Sequence, residues 1–393
     1  MRRVVITGVG CRTPIGDSYV EVKKSLYEGR RAGEFFDGVK WPVCRVKSDL
    51  DKDLTQFDMT ITDRISRLAW SSYLDCKRDA GFSEVGGVFF GMGFFAATME
   101  SSMQDFYKSG RVRPNTIVQL CPNGPASFIA LQEKITGPNF TYNTACSASS
   151  LAMGEAYGYI ARGEVDSLIA GGVESPVGGY SVTAWAYLRA ISTEKDDPSR
   201  GCSPFDKNRK GVMLAEGAAV YHLEALDCAL ARGAKIYAEV LGYGTSWGTE
   251  TMTRPSLAGE ISAMQKAISK AHGREITYIN AHGTGTPMGD MVELQAIDQI
   301  FGATAKGIPV SSTKALHGHL LGASGAMETL SCLAVLETDD VVPNWNLSDP
   351  DPQTPSDVWL PTKTVRKAQD VCLNNSFAFG GTNVSLAFGK FRG

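Results

Sequence analysis

A chain of 393 residues with 39 Lys and Arg against 42 Asp and Glu is close to electroneutral, which excludes binding to a nucleic-acid backbone through bulk charge. Its 43% apolar and 21% charged residues are those of a folded protein, not of a disordered or fibrous one, and the length suits two or three folding units or one large duplicated one. No apolar run is long enough for a signal-peptide core or a membrane span, and nine scattered cysteines without a CxxC pair argue against a disulfide framework or zinc ribbon and for a reducing, cytoplasmic compartment.

In chain order, strand patterns alternate with helix patterns. Arg2 to Thr7 is a β-branched strand ending at Gly8 and Gly10; Asp17 then caps a helix with the apolar face Tyr19, Val22 and Leu26, closed by Gly29. Asp58 to Ala80 reads as one helix, Val85 to Met92 as a strand, Ala126 to Ile135 as a helix and Val165 to Gly172 as a buried strand. The longest apolar run, Val88 to Met99, reads as a buried strand and turn. Loops are expected at Glu194 to Arg209 and Ser348 to Pro361. The expected architecture is a mixed parallel sheet with helices.

The chain also echoes itself. Arg3 to Gly10 has a counterpart in Lys235 to Gly244, each a strand ending in Gly-x-Gly. Tyr142 to Cys146 has a looser counterpart in Tyr278 to His282, each a strand ending in a turn with a reactive side chain. Two similar α/β halves would face their strand ends across one cleft, where such folds bind ligands.

Four segments could carry chemistry. Cys146 stands among small residues between a strand and a helix, where a helix N-terminus would stabilise its thiolate; the same stretch also fits a buried cysteine packed beneath a helix. His282 lies in a turn rich in Gly and Thr, which presents a histidine more readily than it packs one. Asp290 and Glu293 beyond it read as a helix N-cap and capping box. In the third segment, Lys314, His319 and Glu328 precede or lie on a small-residue helix. His317 and His319 there form an HxH without companion ligands, so no metal is expected, and Gly322 to Ala326 only superficially resembles a serine hydrolase elbow. Gly380 and Gly381, after an apolar strand, permit a turn with outward N–H groups suited to an oxyanion, or an ordinary hairpin turn.

Together, TACSAS, NAHGTGTPMGD, STKxxxGHLLGASGAME and NSFAFGGTN, in this order and spacing, make the chain similar to the β-ketoacyl-acyl carrier protein synthases, over nearly its whole length including Phe205 to Gly211. The resemblance implies an α/β thiolase fold, two duplicated βαβ halves forming five layers. The halves are expected at 1–232, with the nucleophile, and 233–393, with two histidines. It implies that Cys146 takes an acyl group from a carrier-protein thioester. His282 and His319 would then donate to the malonyl thioester oxygen as carbon dioxide leaves, each contributing about 3 kcal/mol. The backbone N–H groups of Cys146 and Phe379 match the oxyanion hole, with Phe379 also the gating residue. Lys314 and Glu328 match a supporting ion pair, and Thr284 and Thr286 contacts to the pantetheine arm. Phe94 and Trp185 are expected to shape the acyl channel. Arg64, Arg67, Arg189, Lys207, Arg209 and Lys210 would dock the acidic acyl carrier protein. Ala378 replaces the usual Gly before Phe379, and His317 a smaller residue. No cofactor is expected; the expected partners are the carrier protein and a second subunit, identical or of the chain-length-factor type. A thiolase acting on coenzyme A esters and a non-catalytic chain-length-factor subunit are the competing readings. The first typically replaces one histidine with a second cysteine; the second generally lacks the nucleophile.

Overall fold

The β-branched N-terminal run becomes a strand at the middle of a ten-stranded sheet in the computed structural model, which describes residues 1–94, 96–248 and 251–393. In chain order the strands are β1 Val4–Arg12, β2 Val88–Gly91, β3 Asn139–Tyr142, β4 Ser167–Glu174, β5 Gly217–Ala225, β6 Ala238–Trp247, β7 Ile276–Asn280, β8 Val310–Ser311, β9 Val371–Phe377 and β10 Thr382–Gly389. Their spatial order is β8-β7-β9-β10-β6-β1-β5-β4-β2-β3. Counted outward from β1 or from β6, each half runs first, fifth, fourth, second, third strand. The halves meet where β1 and β6 pair antiparallel, with Val4 opposite Val240 and Ile6 opposite Ala238.

Helices complete five layers. Arg64–Ala80 and Gly124–Glu133 cover the outer face of the first half, Leu257–Ser269 and Pro287–Phe301 that of the second. Ala148–Ala161 and Ser324–Thr338 lie between the halves and touch strands of both. Ser324 through Leu336 is buried on every side of its helix, as expected of a helix without a polar stripe. Among the described residues no helix is long and apolar enough to cross a membrane.

Several sequence expectations shift. The first strand continues through Gly8 and Gly10 to Arg12. These glycines admit the helix Arg64–Ala80: a Cβ would lie 2.4 Å from Ala80 Cβ at Gly8 and 2.0 Å from the Ser72 carbonyl oxygen at Gly10. The cap of helix Tyr19–Glu28 is Ser18, not Asp17, its side chain accepting from the Glu21 N–H. The expected helix Asp58–Ala80 is two, Gln56–Ile61 and Arg64–Ala80, because Asp63 caps the second. In the Val88–Met99 run the strand ends at Gly91 and a helix starts at Ala96; Phe95 lies outside the described residues. The second pair of the internal echo is out of register. By position in the sheet the partner of Asn139–Tyr142 is Val310–Ser311, whereas Ile276–Asn280 matches Val88–Gly91.

Candidate active site

Cys146 follows β3 through a turn that only small residues allow. Ala145 adopts φ 50°, a left-handed conformation costly for any residue with a Cβ, and Ala145–Ser147 forms a 3₁₀ turn leading into helix Ala148–Ala161. The turn passes so close to β2 that a Cβ on Gly91 would lie 2.0 Å from the Ser149 nitrogen. The sulfur is thereby held beneath the surface at the join of the halves.

His319 comes from the other half. Its backbone N–H donates to the Met213 carbonyl and its carbonyl accepts from the Ala215 N–H, so the first half holds the histidine by its main chain. Its Nε2 lies 3.1 Å from Cys146 Sγ, and its Nδ1 lies 2.7 Å from Ser324 Oγ. His282 follows β7, its ring 5.4 Å from that of His319 and nearly perpendicular to it. Cys146, His282 and His319 offer atoms all within 4.8 Å of one another.

What holds His282 is mostly backbone chemistry. Its N–H and that of Gly283 donate to the Glu293 carboxylate at 2.8 Å each, and Asn375 donates to the same carboxylate. Lys314 Nζ donates to the His282 carbonyl at 2.5 Å and pairs with Glu328, both side chains being fully buried. A buried cation without such partners would be strongly destabilising. Asp290 is not the N-cap; Thr286 occupies that position. The Asp290 carboxylate instead accepts from the N–H groups of Phe205, Gly285 and Thr286, which folds the threonine-rich turn onto the neighbouring loop.

Burial dominates the protonation states. It pushes the Cys146 thiol up to about 12, although the Lys314 charge and the backbone N–H groups of Phe379 and Cys146 pull the other way. The thiolate expected at a helix N-terminus is therefore not the resting form: desolvation outweighs the helix end, which begins only at Ala148. Burial and the Lys314 charge hold both His282 and His319 well below the ordinary imidazole value, so both are neutral. A neutral imidazole can accept the thiol proton at Nε2 while its Nδ1–H donates to Ser324; with the tautomer reversed, Nε2–H becomes a donor. Sulfur and imidazole are ligand types that suit zinc. The other groups turned on the sulfur, however, are N–H donors, which match an oxyanion and not a cation.

These groups line a cavity of about 500 Å³ together with Thr284, Thr286, Trp185 and Phe379. Thr284 and Thr286 place their hydroxyls 3.1 Å apart. Trp185 stacks on Phe379 at 5.6 Å, and Phe379 is 37% exposed. Its loop is tied by the Gly380 N–H to the Met252 carbonyl.

Residues 1–229 match the profile of the beta-ketoacyl synthase N-terminal domain, and residues 237–348 that of its C-terminal domain. The chain belongs to the β-ketoacyl synthase family. It is 36% identical to the 3-oxoacyl-[acyl-carrier-protein] synthase 2 of Synechocystis sp., over 100% of this chain and 99% of that one. The crystal structure of a beta-ketoacyl synthase from Burkholderia phymatum superposes with a TM-score of 0.92 at 32% identity, each chain covered in full. The ishigamide ketosynthase/chain length factor gives 0.92 at 27% identity, again with 100% of both chains covered.

The other candidate residues of this β-ketoacyl synthase divide: Arg189, Arg209 and Lys210 line the cavity, and the rest do not. Phe94 does not line the cavity; the residue is 39% exposed while its N–H donates to buried Glu174. Arg209 cannot present a charge to a partner, because its 3% exposed side chain is spent on Asp351 and the Thr286 and Pro287 carbonyls. Arg64 and Arg67 lie together away from the cavity, held by Glu216 and Asp51. Lys207 pairs with Asp349, and Lys210 with Glu194. Arg189 lines the cavity and is exposed, as is Arg254, which sequence reading passed over. His317 bonds locally to Thr313 and the Gly318 carbonyl, away from His319's partners. Also passed over were Ser324, hidden within the hydrolase-like pattern, and Glu293, hidden within a helix-start pattern.

Proposed function

We propose that the chain is a β-ketoacyl-acyl carrier protein synthase, an acyltransferase that condenses a Cys146-bound acyl group with malonyl-acyl carrier protein. The observation that carries this reading is the 3.1 Å approach of Cys146 Sγ to His319 Nε2, beside His282 and inside a cavity. In acyl transfer, His319 Nε2 takes the thiol proton, Sγ attacks the thioester carbon, and the oxyanion rests on the N–H groups of Cys146 and Phe379. The pantetheine sulfur then leaves with the proton. In condensation, the bond to the malonyl carboxylate breaks, carbon dioxide departs, and the electron pair forms an enolate whose oxygen accepts from His282 and His319. The carbanion attacks the acyl carbon, the carbon–sulfur bond to Cys146 breaks, and the departing thiolate recovers from solvent water the proton that the first half-reaction gave to the pantetheine thiol. Lys314 with Glu328 positions His282; Thr284 and Thr286 contact the pantetheine arm, Phe379 gates the entrance, and Trp185 shapes the channel.

Retention of the thiol speaks against a non-catalytic subunit, and two histidines speak against a thiolase. Carrier docking is assigned to the exposed cations Arg189 and Lys210 at the cavity, with exposed Lys207 close by along the chain, and with Arg64 and Arg67 as a second patch. The functional division is placed at 232/233, and the reaction in the cytoplasm, where nine unpaired thiols suit a reducing medium. A second subunit, identical or of chain-length-factor type, is assigned to the open edge strand β3, which bears the exposed Phe140. Mass spectrometry after incubation with acyl carrier thioester tests the reading: acylation on Cys146, then carbon dioxide release from malonyl-acyl carrier protein, is expected. Acylation elsewhere, or none, refutes it.

A further inference from the structure

One ionisable group on the cavity wall has no part in the chemistry above. Glu260, on helix Leu257–Ser269, is 1% exposed and lines the cavity with Cys146, His282 and Thr284. Its Oε2 is buried without a hydrogen-bond partner. Neighbouring buried carboxylates differ: Glu293 and Asp290 are saturated by N–H groups, and Glu174 accepts from Gly93, Phe94 and Gly322. Glu260 makes no ion pair among the described residues, and both burial and the nearby Glu293 favour its neutral form. A neutral carboxyl buried on the cavity wall without a protein partner is an O–H donor in search of an acceptor, and a bound substrate can bring one.

We propose that Glu260 donates a hydrogen bond to the free carboxylate of the malonyl unit, making it a specificity residue for the extender substrate. The inference rests on the synthase reading. Both substrates bring a pantetheine thioester, and only the extender brings a carboxylate. A cation would be a poor partner for that group, because it would stabilise the ground-state carboxylate more than a transition state whose charge has moved to the enolate oxygen. The cations near the cavity are engaged or peripheral: Arg209 with Asp351, Lys210 with Glu194, Lys314 with Glu328, and Arg189 and Arg254 exposed. The proton stays on Glu260 throughout; carbon dioxide leaves uncharged, and the electron pair passes to the enolate held by the histidines.

The test compares Glu260→Gln, which keeps a donor, with Glu260→Met, which keeps the volume and removes it, in the full-length protein. Rates of Cys146 acylation and KM for malonyl-acyl carrier protein are measured separately. For Glu260→Met the expected result is a KM rise of about tenfold, the typical weight of one lost hydrogen bond, exceeding any loss in acylation at least several-fold, with Glu260→Gln restoring most of it. Equal losses in both half-reactions would place the contact on the pantetheine arm and overturn the proposal, as would no change in either, or a Gln variant no better than Met. If the unmodified protein neither acylates nor condenses, it is the synthase reading that fails.

Discussion

The two turns that open the central helices are the same device put to different uses. In the first half, Ala145 at φ 50° starts a 3₁₀ turn ahead of helix Ala148–Ala161; in the second, Leu321 at φ 43° starts one ahead of Ser324–Thr338. Cys146 and Gly322 hold the same place in their turns. One presents a thiol to the cavity. The other gives up its side chain, because a Cβ there would lie 2.0 Å from the Gly93 nitrogen, and its N–H donates to Glu174. Duplicated backbone therefore does not imply duplicated chemistry: one turn reacts, and its counterpart seals the wall behind it.

The comparison can be broken from either side. Cys146→Ala makes the turns chemically alike and is expected to lower condensation at least about 10³-fold, with no acyl adduct by mass spectrometry. Gly322→Ala intrudes on the sealing turn and should destabilise the fold by about 3 kcal/mol, read from denaturant midpoints at constant m-value. Ser324→Ala leaves the buried His319 Nδ1 without its partner and should destabilise the fold by about 2 kcal/mol, read from denaturant midpoints, with decarboxylation slowed as the ring loses its tie. Ala145→Gly relieves the left-handed residue and should stabilise by about 0.5–1 kcal/mol; destabilisation would mean the turn is held by something other than sterics.

The smallest expected effect is a null one. Folded His282 and His319 protonate well below 6.5, so the stability they contribute is present above that value and is lost as pH falls below it, when the unfolded chain binds protons that the folded one refuses. Decarboxylation measured from about pH 8 to about pH 6 should show no inflection near the free imidazole value. A clear inflection there would mean that one of them works as an imidazolium.

The small residues around Cys146, His282 and His319 left a local signature of close backbone approach that fitted a presented or a packed side chain alike, and only the order and spacing of the motifs along the chain, through their resemblance to a family, pointed to a site. Glycine itself was ambiguous. Gly8 and Gly10 were read as a strand end, yet they make room for a helix, and a sequence does not say which neighbour a missing Cβ admits. Asp290 and Glu293 looked like caps because acidic residues near a helix start are usually caps; they instead hold the N–H groups of the turn before the helix, His282 among them, and tie it to Phe205 and Asn375 on distant segments. The second pair of the echo misled because Tyr-Asn-Thr-Ala-Cys and Tyr-Ile-Asn-Ala-His each resemble a strand followed by a reactive turn, whereas equivalence is set by place in the sheet. Glu260 carries no local motif, since its isolation exists only once the helix Leu257–Ser269 has closed on the cavity. The burial that keeps Cys146 a thiol likewise arises from surroundings drawn from both halves.

Cys146 and His319 are separated by 173 positions along the chain. At ribosomal speeds of about 5–20 residues per second, the nucleophile leaves the exit tunnel roughly 10–35 s before its partner. During that interval the sulfur has no imidazole beside it and no second half packed against it. A nascent chain thus carries an ordinary cysteine, and the capacity to seize acyl groups arises only when the last strands dock, which keeps unfinished molecules from diverting carrier-bound intermediates.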